Sequence, residues 1–80
     1  MARVVFPNHL LTFTGGEREV EIAAGNFRQL LEALETRFPG CREALGKAAV
    51  AIDGQIYQDA FLEPIEPASE VFFMQRIEGG

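Results

Sequence analysis

The sequence predicts an α+β fold, a mixed sheet of about five strands with one main helix packed on one face. Three observations carry this. One segment has apolar residues at helical period, short β-rich runs lie on both sides of it, and the turn pairs Gly15-Gly16, Pro39-Gly40 and Asp53-Gly54 punctuate the chain. Residues 3–6, Arg3-Val4-Val5-Phe6, are β-branched and aromatic and are closed by Pro7 and Asn8, which suits a first strand. Their consecutive apolar side chains predict a strand covered on both faces. Gly15-Gly16 predicts a hairpin turn, and residues 17–22 alternate beyond it. Val20 and Ile22 share one face, while Arg18, Glu19 and Glu21 point mostly outward, as in a half-buried antiparallel partner of the first strand.

The helix is the clearest element. Phe27, Leu30, Leu31, Leu34 and Phe38 form one apolar stripe, Asn26 is placed as N-cap with Gln29 at capping-box spacing, and Arg28 and Glu32 are spaced to pair. Pro39-Gly40 stops the helix, and residues 41–45 add a short helical turn ending at Gly46. Ala49–Ile52 reads as a strand, Asp53-Gly54 as a two-residue hairpin turn and residues 55–58 as the returning strand. Pro64 and Pro67 bracket a loop, and residues 70–74 form a last strand, apolar on both faces and therefore central. With a crossover between them, the first and last strands pair in parallel at the centre of the sheet. This order of elements is the β-grasp arrangement.

The 80 residues predict a single domain, 1–80, with residues 75–80 as a flexible tail. A domain of this size buries only about 60% of its unfolded surface, so its seven phenylalanines must carry much of the core. Twelve acids against seven scattered bases argue against nucleic-acid binding. The acidic surface suits a basic partner, and equally suits solubility alone. Cys41 is the only cysteine, which excludes an internal disulfide. The first seven residues are too short and too broken by Pro7 for a signal peptide, and no apolar run is long enough to span a bilayer. These features predict a cytoplasmic protein without a membrane partner.

The feature that carries chemistry is Gly79-Gly80 at the end of the sequence, a pair that average glycine usage produces by chance in roughly 0.5% of chains. Taken with the β-grasp order and a final strand running almost to that pair, the whole chain resembles the MoaD/ThiS family of ubiquitin-like sulfur carriers. Arg3-Val4-Val5-Phe6 is similar to the family's opening strand, residues 27–34 to its helix, Ala51-Ile52-Asp53-Gly54 to its strand and polar turn, Glu70-Val71-Phe72-Phe73 to its last strand, and Gly79-Gly80 to its terminal signature. The chain departs from molybdopterin-type members in having Gln75-Arg76 where many carry a proline pair, and Pro67-Ala68-Ser69 before the last strand.

The resemblance implies a cycle. An adenylyltransferase of the ubiquitin-activating type uses Mg-ATP to adenylate the Gly80 carboxylate, a sulfur donor displaces AMP to leave a thiocarboxylate, and a downstream enzyme accepts the sulfur for a molybdopterin-, thiamine- or other biosynthetic pathway. The chain itself binds no cofactor in this scheme and is a carrier or small subunit, not an enzyme. Side-chain-free Gly79 and Gly80 fit a narrow pocket. The same diglycine also serves a protein modifier joined to lysines, and a plain β-grasp interaction module remains open.

Other residues add less. His9 has no neighbouring metal-ligand type, Ser69 is the only serine and lacks an elbow motif, and Gly15-Gly16 lacks the spacing of a phosphate loop. No acid–base pair, nucleophile or metal cluster stands out. Cys41 reads as a packed small hydrophobe. The surplus of phenylalanine predicts an apolar docking patch on the face the helix leaves uncovered, unless loops fold over it. Phe61, Phe72, Phe73, Arg76 and Ile77 are the expected partner-binding residues.

Overall fold

The computed structural model describes residues 1–75. Helix α1 (Phe27–Arg37) buries Phe27, Leu30, Leu31 and Leu34, the stripe its periodicity predicts. Asn26 caps it from an extended conformation, its Oδ1 accepting the Gln29 N–H at 2.8 Å. Gln29 Oε1 in turn accepts the Gly25 N–H at 2.8 Å, so the capping box closes one residue upstream of the cap. A Cβ on Gly25 would stand 3.1 Å from that oxygen, so a side chain there would press on the Gln29 amide. After Phe38, Gly40 turns the chain at φ 96°. The Glu35 carboxylate then accepts the N–H groups of Gly40 and Arg42, at 2.7 and 2.9 Å. Those donors open the short helix α2 (Cys41–Gly46), which buries Cys41 and Leu45.

The sheet comprises β1 (Ala2–Val5), β2 (Glu19–Ile22), β3 (Ala49–Ile52), β4 (Gln55–Tyr57) and β5 (Glu70–Met74) in the order β2-β1-β5-β3-β4. The central β1/β5 pair is parallel, with Arg3 opposite Glu70 and Val5 opposite Phe72, and the other pairs are antiparallel. This is the expected β-grasp sheet. Both helices lie on one face, where Val4, Val20, Val50, Val71 and Phe73 meet the α1 stripe in one core. Phe6 stacks on Phe73 with centroids 5.9 Å apart, Phe27 meets Phe73 at 5.8 Å, and Phe38 meets Phe6 edge-on at 6.1 Å.

Two expectations require correction. The β1–β2 connection is not a simple hairpin at Gly15-Gly16. A 3-10 turn at Asn8–Leu10 precedes those glycines, which do adopt φ 66° and 91°. Buried Leu10 ties this connection to the core, and buried Thr14 closes it internally through its bond to the Glu17 carbonyl. Second, β1 and β5 are not covered on both faces. They alternate, burying Val4, Val71 and Phe73 while Val5 is half-buried and Phe72 exposed. One helical layer covers only one face, and adjacent apolar residues in a strand are divided between the two.

Asp53 and Gly54, at φ 50° and 84°, form the turn between β3 and β4. Asp53 also staples that turn to β5. Its carboxylate accepts the Glu70 N–H at 2.9 Å and the Ser69 hydroxyl at 2.8 Å, and its N–H donates to the Glu70 carbonyl at 2.9 Å. The Glu70 N–H first, and the Ser69 hydroxyl second, hold the Asp53 carboxyl below its ordinary value of 3.8. The N–H groups of Gly40 and Arg42 do the same to Glu35, below 4.5.

Truncation of fully buried Leu34 to alanine is expected to cost about 2–5 kcal/mol in urea unfolding, and Asn26→Ala about 1 kcal/mol. Because the folded-state values of Asp53 and Glu35 are depressed, their contribution is complete above the ordinary carboxylate range and is lost as pH falls through the lowered values. The stability difference between wild type and Asp53→Asn should therefore be constant near neutrality and shrink as unfolding is repeated at pH below about 4.

Candidate functional site

The uncovered face of the sheet is built by register. Glu19 lies opposite Val5, Val5 opposite Phe72, Phe72 opposite Ala51 and Ala51 opposite Ile56, so one row crosses all five strands. Alternation turns this row away from the helices. Ile56 is 65% exposed and Phe72 37%, with Val5, Ala51 and Met74 half-buried around them. The result is an apolar band of which Phe72 on β5 is the centre.

An acidic row flanks it. Glu21, Arg3 and Glu70 stand in line across β2, β1 and β5. Arg3 reaches Glu19 through Nε at 2.9 Å and Glu70 through a terminal guanidinium nitrogen at 2.7 Å. Its guanidinium also sits 5.7 Å from the centroid of the Phe72 ring. The hydrogen bond from Arg3 lowers the Glu19 carboxyl, and the two carboxylates raise Arg3, led by the bond to Glu19. Both groups are solvated, so the network orders side chains more than it stabilises the fold. Its effect is to hold Phe72 against a guanidinium while two carboxylates remain outward.

The structure separates the residues expected at a docking face. Phe72 is on it. Phe73 is not: it is 3% exposed and stacked on Phe6 in the core, because alternation sends neighbouring side chains to opposite faces. Phe61 is 41% exposed but belongs to the helix side, where its carbonyl accepts the Arg28 N–H at 3.1 Å and its side chain borders a small cavity with Phe27 and Leu31. Arg76, Ile77, Gly79 and Gly80 lie outside the described residues. Val5, Ala51, Ile56 and Arg3 were not singled out in the sequence, since their sharing a face with Phe72 depends on strand register. The Asp53-Gly54 turn was the available signal, as it sets Ile56 opposite Ala51.

Among the described residues no group of three or more His, Cys, Asp or Glu side chains is placed to hold a metal ion, and no helix is long and apolar enough to cross a membrane. Cys41 is fully buried in the core. Burial, and then the nearby Glu35 charge, push its thiol upward and away from the reactive thiolate.

A parallel central strand pair, two antiparallel flanks and a single crossing main helix define the β-grasp class of small α+β proteins. The sequence matches no family model and no curated protein. Among solved structures, the chain is similar to one from the Amycolatopsis orientalis BexX/CysO complex, with a TM-score of 0.88 and 20% identity over 100% of both chains. It is similar to the antigen CysO of Mycobacterium tuberculosis, with a TM-score of 0.87 and 16% identity over 96% of this chain and 100% of that one. It also matches a chain of the complex between subunits 1 and 2 of molybdopterin-converting factor from Helicobacter pylori, with a TM-score of 0.66 and 20% identity over 99% and 97% of the two chains. At these identities the likeness is one of fold.

Cys41 in the native protein is expected to react with iodoacetamide at least about tenfold more slowly than in urea, the difference disappearing with the unfolding transition. Rapid labelling of the native protein would contradict the buried placement.

Proposed function

We propose that this chain is a ubiquitin-like sulfur carrier whose working group is the Gly80 carboxylate. The observation that carries the reading is a diglycine five residues beyond the end of the central strand β5, on a β-grasp body whose open face bears an apolar band with an acidic flank. A carboxylate is a poor electrophile. An ATP-dependent adenylyltransferase would join it to AMP and release pyrophosphate. A sulfur nucleophile then attacks the acyl carbon, AMP leaves, and a thiocarboxylate remains for a downstream enzyme to consume. Mg-ATP belongs to the activating partner, and no step needs a catalytic side chain of this chain.

The acyl-adenylate must be kept from water, which requires a narrow enclosed pocket in the partner. Four residues from Ile77 to Gly80 reach roughly 13 Å when extended, enough to enter such a pocket while the body stays outside. Phe72, with Ile56 and Val5, supplies the apolar surface on which the body seats. Arg3 and its carboxylates align that surface, and Arg76 and Ile77 extend the contact along the tail. The BexX/CysO and molybdopterin-converting factor complexes support the reading, since in both a protein of similar fold is found with a partner. The consumption of Mg-ATP suits a cytoplasmic setting.

The test is the intact mass of the protein after incubation with Mg-ATP, sulfide and candidate adenylyltransferases from its own cell. A gain equal to replacing one oxygen by sulfur is expected at Gly80, and is absent when Gly79-Gly80 is deleted. Lysine-linked conjugates in place of that gain would overturn the reading in favour of a modifier. No gain, with partner binding unaffected by the deletion, would reduce the chain to an interaction module. Phe72→Asp is expected to raise the KM of activation about tenfold or more while leaving the fold intact, measured by pyrophosphate release and circular dichroism.

A further inference from the structure

Phe13 is an aromatic that neither the core nor the open sheet face employs. It is 42% exposed, yet its loop is firmly tied. The Phe13 N–H donates to the Leu10 carbonyl at 3.0 Å, the buried Thr14 hydroxyl donates to the Glu17 carbonyl at 2.8 Å, and the Gly16 N–H reaches the Leu11 carbonyl at 2.9 Å. A constrained turn thus presents an apolar ring to solvent. The ring forms one wall of a groove against α2, with a cavity of about 500 Å³ bordered by His9, Leu10, Ala44, Lys47 and Gln75, and an adjoining one of about 380 Å³ reaching Gly40 and Glu43. This is the size of a few side chains.

Two properties indicate what fits there. The larger cavity has no carboxylate in its wall, and Lys47 is its charged residue, in a chain of net charge −5. Lys47 meets Glu43 only through a loose, exposed contact at 3.4 Å, so its ammonium is available at the rim. The apolar lining of Leu10, Phe13, Ala44 and Ala48 takes an apolar side chain, and Lys47 takes an anion. The groove also ends at Gln75, and residues 76–80 alone separate Gln75 from the reactive carboxylate, at most about 17 Å of extended chain. An enzyme enclosing Gly80 must therefore have surface within that distance of the groove.

We propose that this groove is a second docking place, on the side of the body away from Phe72 and at the base of the tail. Its occupant is a segment of the activating enzyme that carries an apolar side chain beside a carboxylate. The inference rests on the carrier reading above and specifies a contact by which the enzyme brackets the base of the tail.

Two full-length variants test it, one carrying the photocrosslinker p-benzoylphenylalanine in place of Phe13, the other in place of Ile77. In extract of the source cell supplied with Mg-ATP, the Ile77 position marks the adenylyltransferase that takes the tail. The Phe13 position is expected to label that same polypeptide, at a peptide where an apolar residue adjoins Asp or Glu. Adding Lys47→Glu should lower the Phe13 adduct about tenfold or more, and Lys47→Arg should preserve it. If the Ile77 position labels the enzyme while the Phe13 position labels nothing, another protein or a second copy of this chain, the groove assignment is overturned and the carrier reading stands. If the Ile77 position labels no adenylyltransferase, the carrier reading fails and the groove assignment fails with it.

Discussion

A chain of 80 residues can cover one face of a five-stranded sheet and no more, and the way α1 meets that constraint organises the rest of the molecule. The stripe of Phe27, Leu30, Leu31 and Leu34 lies against the face formed by Val4, Val20, Val50, Val71 and Phe73, and these side chains belong to one buried core. The opposite face is left to solvent. There the sequence could have placed charges alone, as many half-buried sheets do. It instead has Val5, Phe72, Ala51 and Ile56 in one row, a choice that folding does not require and that the proposed docking would use.

Local electrostatics set a charged border along that open face. Arg3 draws Glu19 and Glu70 together across three strands and lies beside Phe72, so the apolar band is bounded by charges in defined positions. The carboxylates that bond to backbone serve a different purpose. Glu35 fixes the turn between the consecutive helices α1 and α2, and Asp53 links the β3–β4 turn to β5, seventeen residues further along the chain.

Much of the fold was legible in the sequence because its signals are local and mutually consistent. The heptad-like stripe of α1, the Asn26 cap with Gln29, the Asp53-Gly54 turn and the apolar runs of β1 and β5 all agree with the observed topology. The candidate site was only partly legible. Val4-Val5-Phe6 and Val71-Phe72-Phe73 look alike whether both faces are covered or one is, so Phe73 was expected at the surface together with Phe72. Phe61 sits in a loop whose path over the start of α1 is set by long-range contacts, among them the Arg28 N–H to its carbonyl. The turn at Asn8–Leu10 was hidden because Leu10 anchors it to a core assembled from distant parts of the chain.

The position of β5 has a mechanical consequence. Its C-terminal end leads into the segment that a partner would grip, and it lies between β1 and β3 with hydrogen-bonded neighbours on both sides. A pull on that segment acts along the strand, while the ladder bonds run across it, so the load falls on both ladders in shear and is shared among their bonds instead of opening them one at a time. The Asp53 staple at the other end of β5 adds an anchor against the same displacement. A strand held on both sides and stapled at its start resists being drawn out by its C-terminal end better than an edge strand would.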